Sequence, residues 1–101
     1  MNYNNLIVDI SEKIQTITIN REPKLNALNK ETLAELNEAF HIAGSNENIM
    51  GIIITGAGQK AFVAGADISE FQNIGISEAK KFAKNGQDIF QSIEQSAKPV
   101  I

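Results

Sequence analysis

The chain has 101 residues, with nine basic against twelve acidic side chains and a net charge of −3, so it lacks the basic footprint of a nucleic-acid binder. Apolar residues make up 43% and charged residues 21%, the balance of one folded domain and not of a disordered tail. Cysteine is absent and histidine occurs once, at His41, which excludes disulfides and a Cys nucleophile and argues against a metal centre.

Leu6, Val8 and Ile10 alternate with Ile7 and Asp9, the pattern of a short half-buried strand. Ser11-Glu12-Lys13 reads as a three-residue polar turn into a second strand, Ile14 to Asn20, and the pair as an antiparallel hairpin. Pro23 makes residues 21–28 a loop. Asn29 is placed to cap a helix from Lys30, with Leu33, Leu36, Phe40 and Ala43 on its buried face and Gly44 closing it. The nearly unbroken apolar run 49–55 predicts a strand of a parallel sheet, covered on both faces. Gly56 to Lys60 is a turn, followed by a short apolar segment into Gly65-Ala66-Asp67-Ile68. Ser77 is placed to cap a long helix reaching about Ala97. Its buried stripe is Ala79, Phe82, Ala83, Gly86, Phe90, Ile93 and Ala97, with Lys80, Lys81, Lys84 and Glu94 facing water. After Lys98-Pro99, Val100 and Ile101 begin another buried strand. The order of elements implies α/β layering, and the sequence reads as the N-terminal portion of a longer domain, cut after Ile101.

Three segments invite a chemical reading. Gly56-Ala57-Gly58-Gln59-Lys60-Ala61 fits G-x-G-x-x-A, yet no helix opens there to meet a pyrophosphate, so it reads as a flexible turn. In Ala64-Gly65-Ala66-Asp67-Ile68 small residues admit a ligand close to the backbone. N–H groups at a helix start near Ala66 would suit an oxyanion or phosphate; a packed loop capped by Asp67 is the plainer alternative. Lys24 can meet a phosphate or be simply solvated. Glu31, Glu35, Glu38, Glu70, Glu78 and Glu94 form no acid/base pair and read as solvated. His41 reads as a surface residue that favours the end of the first helix.

Together these segments resemble the N-terminal part of the enoyl-CoA hydratase/isomerase (crotonase) superfamily. The matching residues are Ile17-Thr18-Ile19-Asn20-Arg21, Pro23, Leu25-Asn26-Ala27-Leu28, Ile52-Ile53-Ile54-Thr55-Gly56, Lys60 to Ile68, and Lys98-Pro99-Val100-Ile101. The resemblance implies a spiral of ββα units that binds acyl-CoA thioesters, with the backbone N–H of Ala66 as one half of an oxyanion hole. It further implies that Ala27, Ala64, Asp67 and Ile68 line the CoA pocket and that Lys24 approaches the CoA phosphates. Ser69 stands where the family often has Lys. The expected activity is reversible hydration of trans-2-enoyl-CoA, with CoA as part of the substrate and no separate cofactor or metal. Crotonase-type isomerase or thioester hydrolase activity, or a non-catalytic CoA- or nucleotide-binding module, are the alternatives. The family's second oxyanion donor and its catalytic glutamates match no position in residues 1–101, so these residues alone are expected to be inactive. A cytoplasmic protein is expected, with no membrane or nucleic-acid partner, forming a trimer or hexamer of identical subunits at full length.

Overall fold

The computed structural model describes residues 2–101. Two strands, β1 (Leu6–Ser11) and β2 (Ile14–Ile19), form an antiparallel hairpin in which Leu6 faces Ile19 and Ser11 faces Ile14. The turn is therefore two residues long, not three. Glu12 and Lys13 carry it with φ of 50° and 68°, the signs that a two-residue turn needs to follow the right-handed twist of the strands.

A short 3-10 turn at Glu22–Lys24 interrupts the loop after β2. Helix α1 (Lys30–Ser45) follows, and the Asn29 side chain accepts from the Thr32 N–H as expected of its cap. The helix runs past Gly44 and closes at Asn46. Lys98 finishes that end: its ammonium donates to the carbonyls of Ala43 and Asn46, both at 2.7 Å, where the helix exposes unsatisfied acceptors and partial negative charge.

Strand β3 (Gly51–Gly56) lies parallel to β2, so the sheet order is β1-β2-β3. Beyond β3, residues 99–101 add a further parallel rung, with Ile52 bridged to Val100. The expectation of cover on both faces fails at β3: Ile52 is buried, but Ile53 on the opposite face is 38% exposed. An apolar run shows that both faces are oily; it does not show that residues of the same chain cover both.

Helix α2 (Ile76–Glu94) starts one residue before Ser77, with Gly75 at its cap position and no capping side chain, and it ends short of Ala97. Its buried line is Phe82, Gly86 and Ile89, while Phe90 is 47% exposed and Ala83 is open to solvent. The apolar stripe is thus rotated from the expected one by the choice of Ile89 over its neighbour Phe90. A core of Leu6, Ile17, Ile19, Leu33, Leu36, Phe40, Ile52, Phe82 and Ile89 joins one sheet face to both helices. Each such large side chain stabilises the fold by roughly 1.5–3 kcal/mol on burial. Phe71 meets Phe82 edge to face at 5.2 Å between ring centres, which pins the connection into α2 to this core.

Candidate functional site

Two loops, residues 20–29 and 57–67, fold against each other at the end of β2 and β3. Asn26 joins them. Its backbone is left-handed, with φ of 59°, which Asn tolerates better than most residues. Its buried amide accepts from the Arg21 N–H at 2.9 Å and donates to the carbonyls of Ala57 and Ala61, each at 2.9 Å. Gly56 makes room for this junction, since a Cβ there would sit 2.2 Å from the Phe62 carbonyl oxygen. Gly56 ends β3, residues 57–60 bend away from it, and no helix opens there.

Residues 64–67 then run beside 25–28 as a short parallel ladder. Leu28 N–H donates to the Gly65 carbonyl and Asp67 N–H to the Leu28 carbonyl, both at 2.8 Å, and Ala64 N–H donates to Leu25 at 3.1 Å. In a parallel bridge only one of the two paired residues uses its own N–H and C=O, and here that residue is Leu28. Ala66, bridged to Leu28, therefore aims its N–H outward, and that N–H finds no acceptor among the described residues. Gly65, with φ of 118°, supplies a backbone bend that side-chain-bearing residues avoid.

The helix expected near Ala66 is a single 3-10 turn, Ile68–Phe71, capped by Asp67. The Asp67 carboxylate accepts from the Ser69 N–H at 3.0 Å and its hydroxyl at 2.6 Å, and pairs with the Arg21 guanidinium at 3.2 Å. The Ser69 hydrogen bonds chiefly, with Arg21 in support, hold its carboxyl below the usual carboxylate range. Asp67 thus spends its charge inside the loop junction, and Ser69 spends both its donors on Asp67. Arg21 entered the sequence reading only as part of the matching motif. Nothing in the sequence marks its partner, which lies far along the chain.

A surface cavity of about 390 Å³ is lined by Lys24, Ala27, Ala64, Ala66, Asp67, Ile68, Ser69 and Gln72. All seven residues singled out from the sequence meet there, with Gln72 in addition. Lys24 is exposed at its edge and forms no ion pair among the described residues. On the other side of Ala66 lies an almost wholly apolar hollow of about 250 Å³, walled by Leu28, Leu33, Val63, Phe82, Gly86 and Phe90 among others. Ala66 borders both spaces, with its outward N–H.

Glu78 and Glu94 are solvated as expected, but the other four glutamates read as solvated hold local structure. Glu31 and Glu35 accept from Asn4 and Asn5, and Glu38 from the Tyr3 hydroxyl, so α1 grips the N-terminal segment with three carboxylates. Burial and the neighbouring Glu38 push the Tyr3 hydroxyl pKa up. Glu70 accepts from the Lys30 N–H at 2.8 Å and so closes the start of α1. His41 is exposed, edge-on to Phe40. Because α1 continues a full turn beyond it, it does not serve the helix end. Among the described residues no cluster of three metal-ligating side chains occurs, and no helix is long and apolar enough to cross a membrane.

Residues 9–101 match the family model described as enoyl-CoA hydratase/isomerase. The whole chain is 45% identical to the crotonyl-CoA hydratase of Syntrophomonas wolfei and 42% identical to the short-chain-enoyl-CoA hydratase of Clostridium acetobutylicum, spanning 39% of the length of each. Its fold superposes on 38% of the enoyl-CoA hydratase of Bacillus anthracis with a TM-score of 0.91, 31% identity and 96% of this chain covered. The corresponding values for the Thermoplasma volcanium enzyme are 0.86, 35% and 95%, over 38% of that chain.

Proposed function

The chain belongs to the enoyl-CoA hydratase/isomerase family, and on that ground we propose that it is the CoA-holding part of an enzyme that adds water reversibly to trans-2-enoyl-CoA. The single observation that carries the reading is the place of Ala66, which has an N–H unpartnered among the described residues and lines both a cleft edged by the polar Lys24, Ser69 and Gln72 and an apolar hollow. A CoA thioester has that same division, a polar anionic carrier on one side of its carbonyl and an acyl chain on the other.

In this reading the pantetheine and adenine lie along Ala27, Ala64, Asp67 and Ile68. Lys24 meets a CoA phosphate, Ser69 borders the same cleft, and the acyl chain enters the hollow. Addition of water at the β-carbon builds enolate charge on the thioester oxygen. The Ala66 N–H meets that charge as it develops, a contribution of roughly 3–4 kcal/mol for one such donor in other enzymes. Proton transfer needs an acid and a base. The glutamates of residues 2–101 are committed to helix ends and the N-terminal segment, or stand exposed and apart. The chemistry therefore falls to groups outside these residues.

Two measurements test this. In amide NMR spectra of the chain, butyryl-CoA should perturb Ala64 to Ser69 first, and unperturbed signals there would overturn the cleft. Crotonyl-CoA hydration should be absent for these 101 residues; measurable hydration by them would overturn the assignment of acid and base elsewhere. Release of free CoA in place of hydration by the protein at its relatives' length would point to a thioester hydrolase.

A further inference from the structure

We propose that Arg21 is the positioning residue for the oxyanion donor, its guanidinium locking the short ladder that aims the Ala66 N–H. The inference rests on the acyl-CoA reading above. The Arg21 side chain is 13% exposed and touches both loops at once: Nη1 donates to the Ala27 carbonyl and Nη2 to the Asp67 carboxylate. Ala27 immediately precedes the bridged Leu28, and Asp67 immediately follows the bridged Ala66. One guanidinium thus clamps the ladder at both of its sides.

The clamp is needed because the ladder is a single bridge. Its two 2.8 Å rungs and the longer Ala64–Leu25 bond fix the separation of the segments but leave the Ala66 end weakly held against twisting. The backbone at Gly65 has no side chain to oppose such rotation. A planar fork that reaches an acceptor on each segment supplies the missing constraint, and lysine, with one nitrogen on a flexible stem, does not reproduce it. Arg21 is itself immobilised: its N–H donates to the Asn26 amide, and its carbonyl accepts from Lys24 and Asn26, all at 2.9 Å. Neither member of the Arg21–Asp67 pair has its charge free for a ligand. A nearly buried pair of this kind adds little net stability, because desolvation offsets its attraction. Orientation is what it supplies.

The experiment compares wild type with R21K by amide NMR titration against butyryl-CoA and against free CoA. In wild type the thioester, and not free CoA, should move the Ala66 amide proton downfield. In R21K free-CoA affinity should stay within about twofold, while the preference for thioester over CoA falls by about three- to tenfold, the worth of one hydrogen bond. A merely structural role for Arg21 would weaken both ligands together, and that result overturns the proposal. Should R21K fail to fold, R21Q, whose shorter amide cannot span the Ala27 carbonyl and the Asp67 carboxylate together, should show the same selective loss, and an unchanged preference there is equally fatal. If the thioester leaves Ala66 unmoved in wild type, the acyl-CoA reading fails and this inference with it; if only the variants match wild type, the inference alone fails.

Discussion

Asn26 shows how much of the site depends on one amide. Its side chain satisfies one N–H and two carbonyls of the loops it joins, and it is 1% exposed. Asn26→Leu keeps the volume, removes all three bonds and leaves those backbone groups buried without partners. The expected loss is about 2–4 kcal/mol, since each orphaned buried group costs about 1–3 kcal/mol and partial relaxation recovers some of it. Chemical denaturation with an unchanged slope would measure it. An effect below the error of that measurement would show that water reaches the junction. Residues of this kind were legible only through the family resemblance. Periodicity finds the buried leucines of α1, because burial there repeats every three or four positions. It is blind to Asn26 and Arg21, and to the pairing of Arg21 with Asp67, because these contacts join one loop to another; only the cap that Asp67 makes was readable locally.

Among the elements, α2 is where the sequence pattern misleads. Ile89 and Phe90 are adjacent and both apolar, so a helical wheel admits either as the inward one. The structure buries Ile89 beside Phe82 and Gly86. Gly86 faces Leu33 of α1, and a Cβ built on it would lie 3.8 Å from a Leu33 methyl, an ordinary contact. Gly86→Ala should therefore stabilise the fold by about 0.5–1 kcal/mol, the helix-interior penalty of glycine relieved without a clash. A rise in thermal midpoint checks this, and a fall would mean that α2 packs closer to α1 than the structure has it. The two caps of α1 divide in the same way. Asn29 was readable because its partner is three residues on. Lys98 was not, because it reaches back to Ala43 and Asn46 from beyond α2.

Taken as one body, the described residues leave a contiguous apolar surface open. Phe62 is 58% exposed, Phe90 47% and Ile101 86%, and all three rim a hollow of about 340 Å³ floored by Ile19, Leu28, Leu36 and Ile54. Scattered apolar residues are normal on a surface, but a contiguous rim and floor mark a contact site. The chain should enhance the fluorescence of an anilinonaphthalene sulfonate dye, and the pair of substitutions F62S and F90S should remove most of that signal. A native wild type that leaves the dye dark would show the hollow closed in solution. The α/β layering, the hairpin and a parallel strand at 49–55 were legible in the order of elements and their apolar runs; that this strand pairs with β2 was not. Which surfaces those elements cover was not, because coverage depends on neighbours that a local pattern does not name.

The turn between β1 and β2 has a kinetic side. Glu12 and Lys13 both hold left-handed φ without being glycine, at about 1 kcal/mol each. That cost falls on the most local pairing in the molecule, the one able to close soonest. A two-stranded ribbon is marginal in water even with an ideal turn, so this one gains little from closing early. Its inward side chains, Leu6, Ile17 and Ile19, are covered only when α1 arrives. Ordering of the first strands and the first helix should accordingly be a single cooperative event. An Asn-Gly pair in the turn would let the hairpin run ahead of the helix.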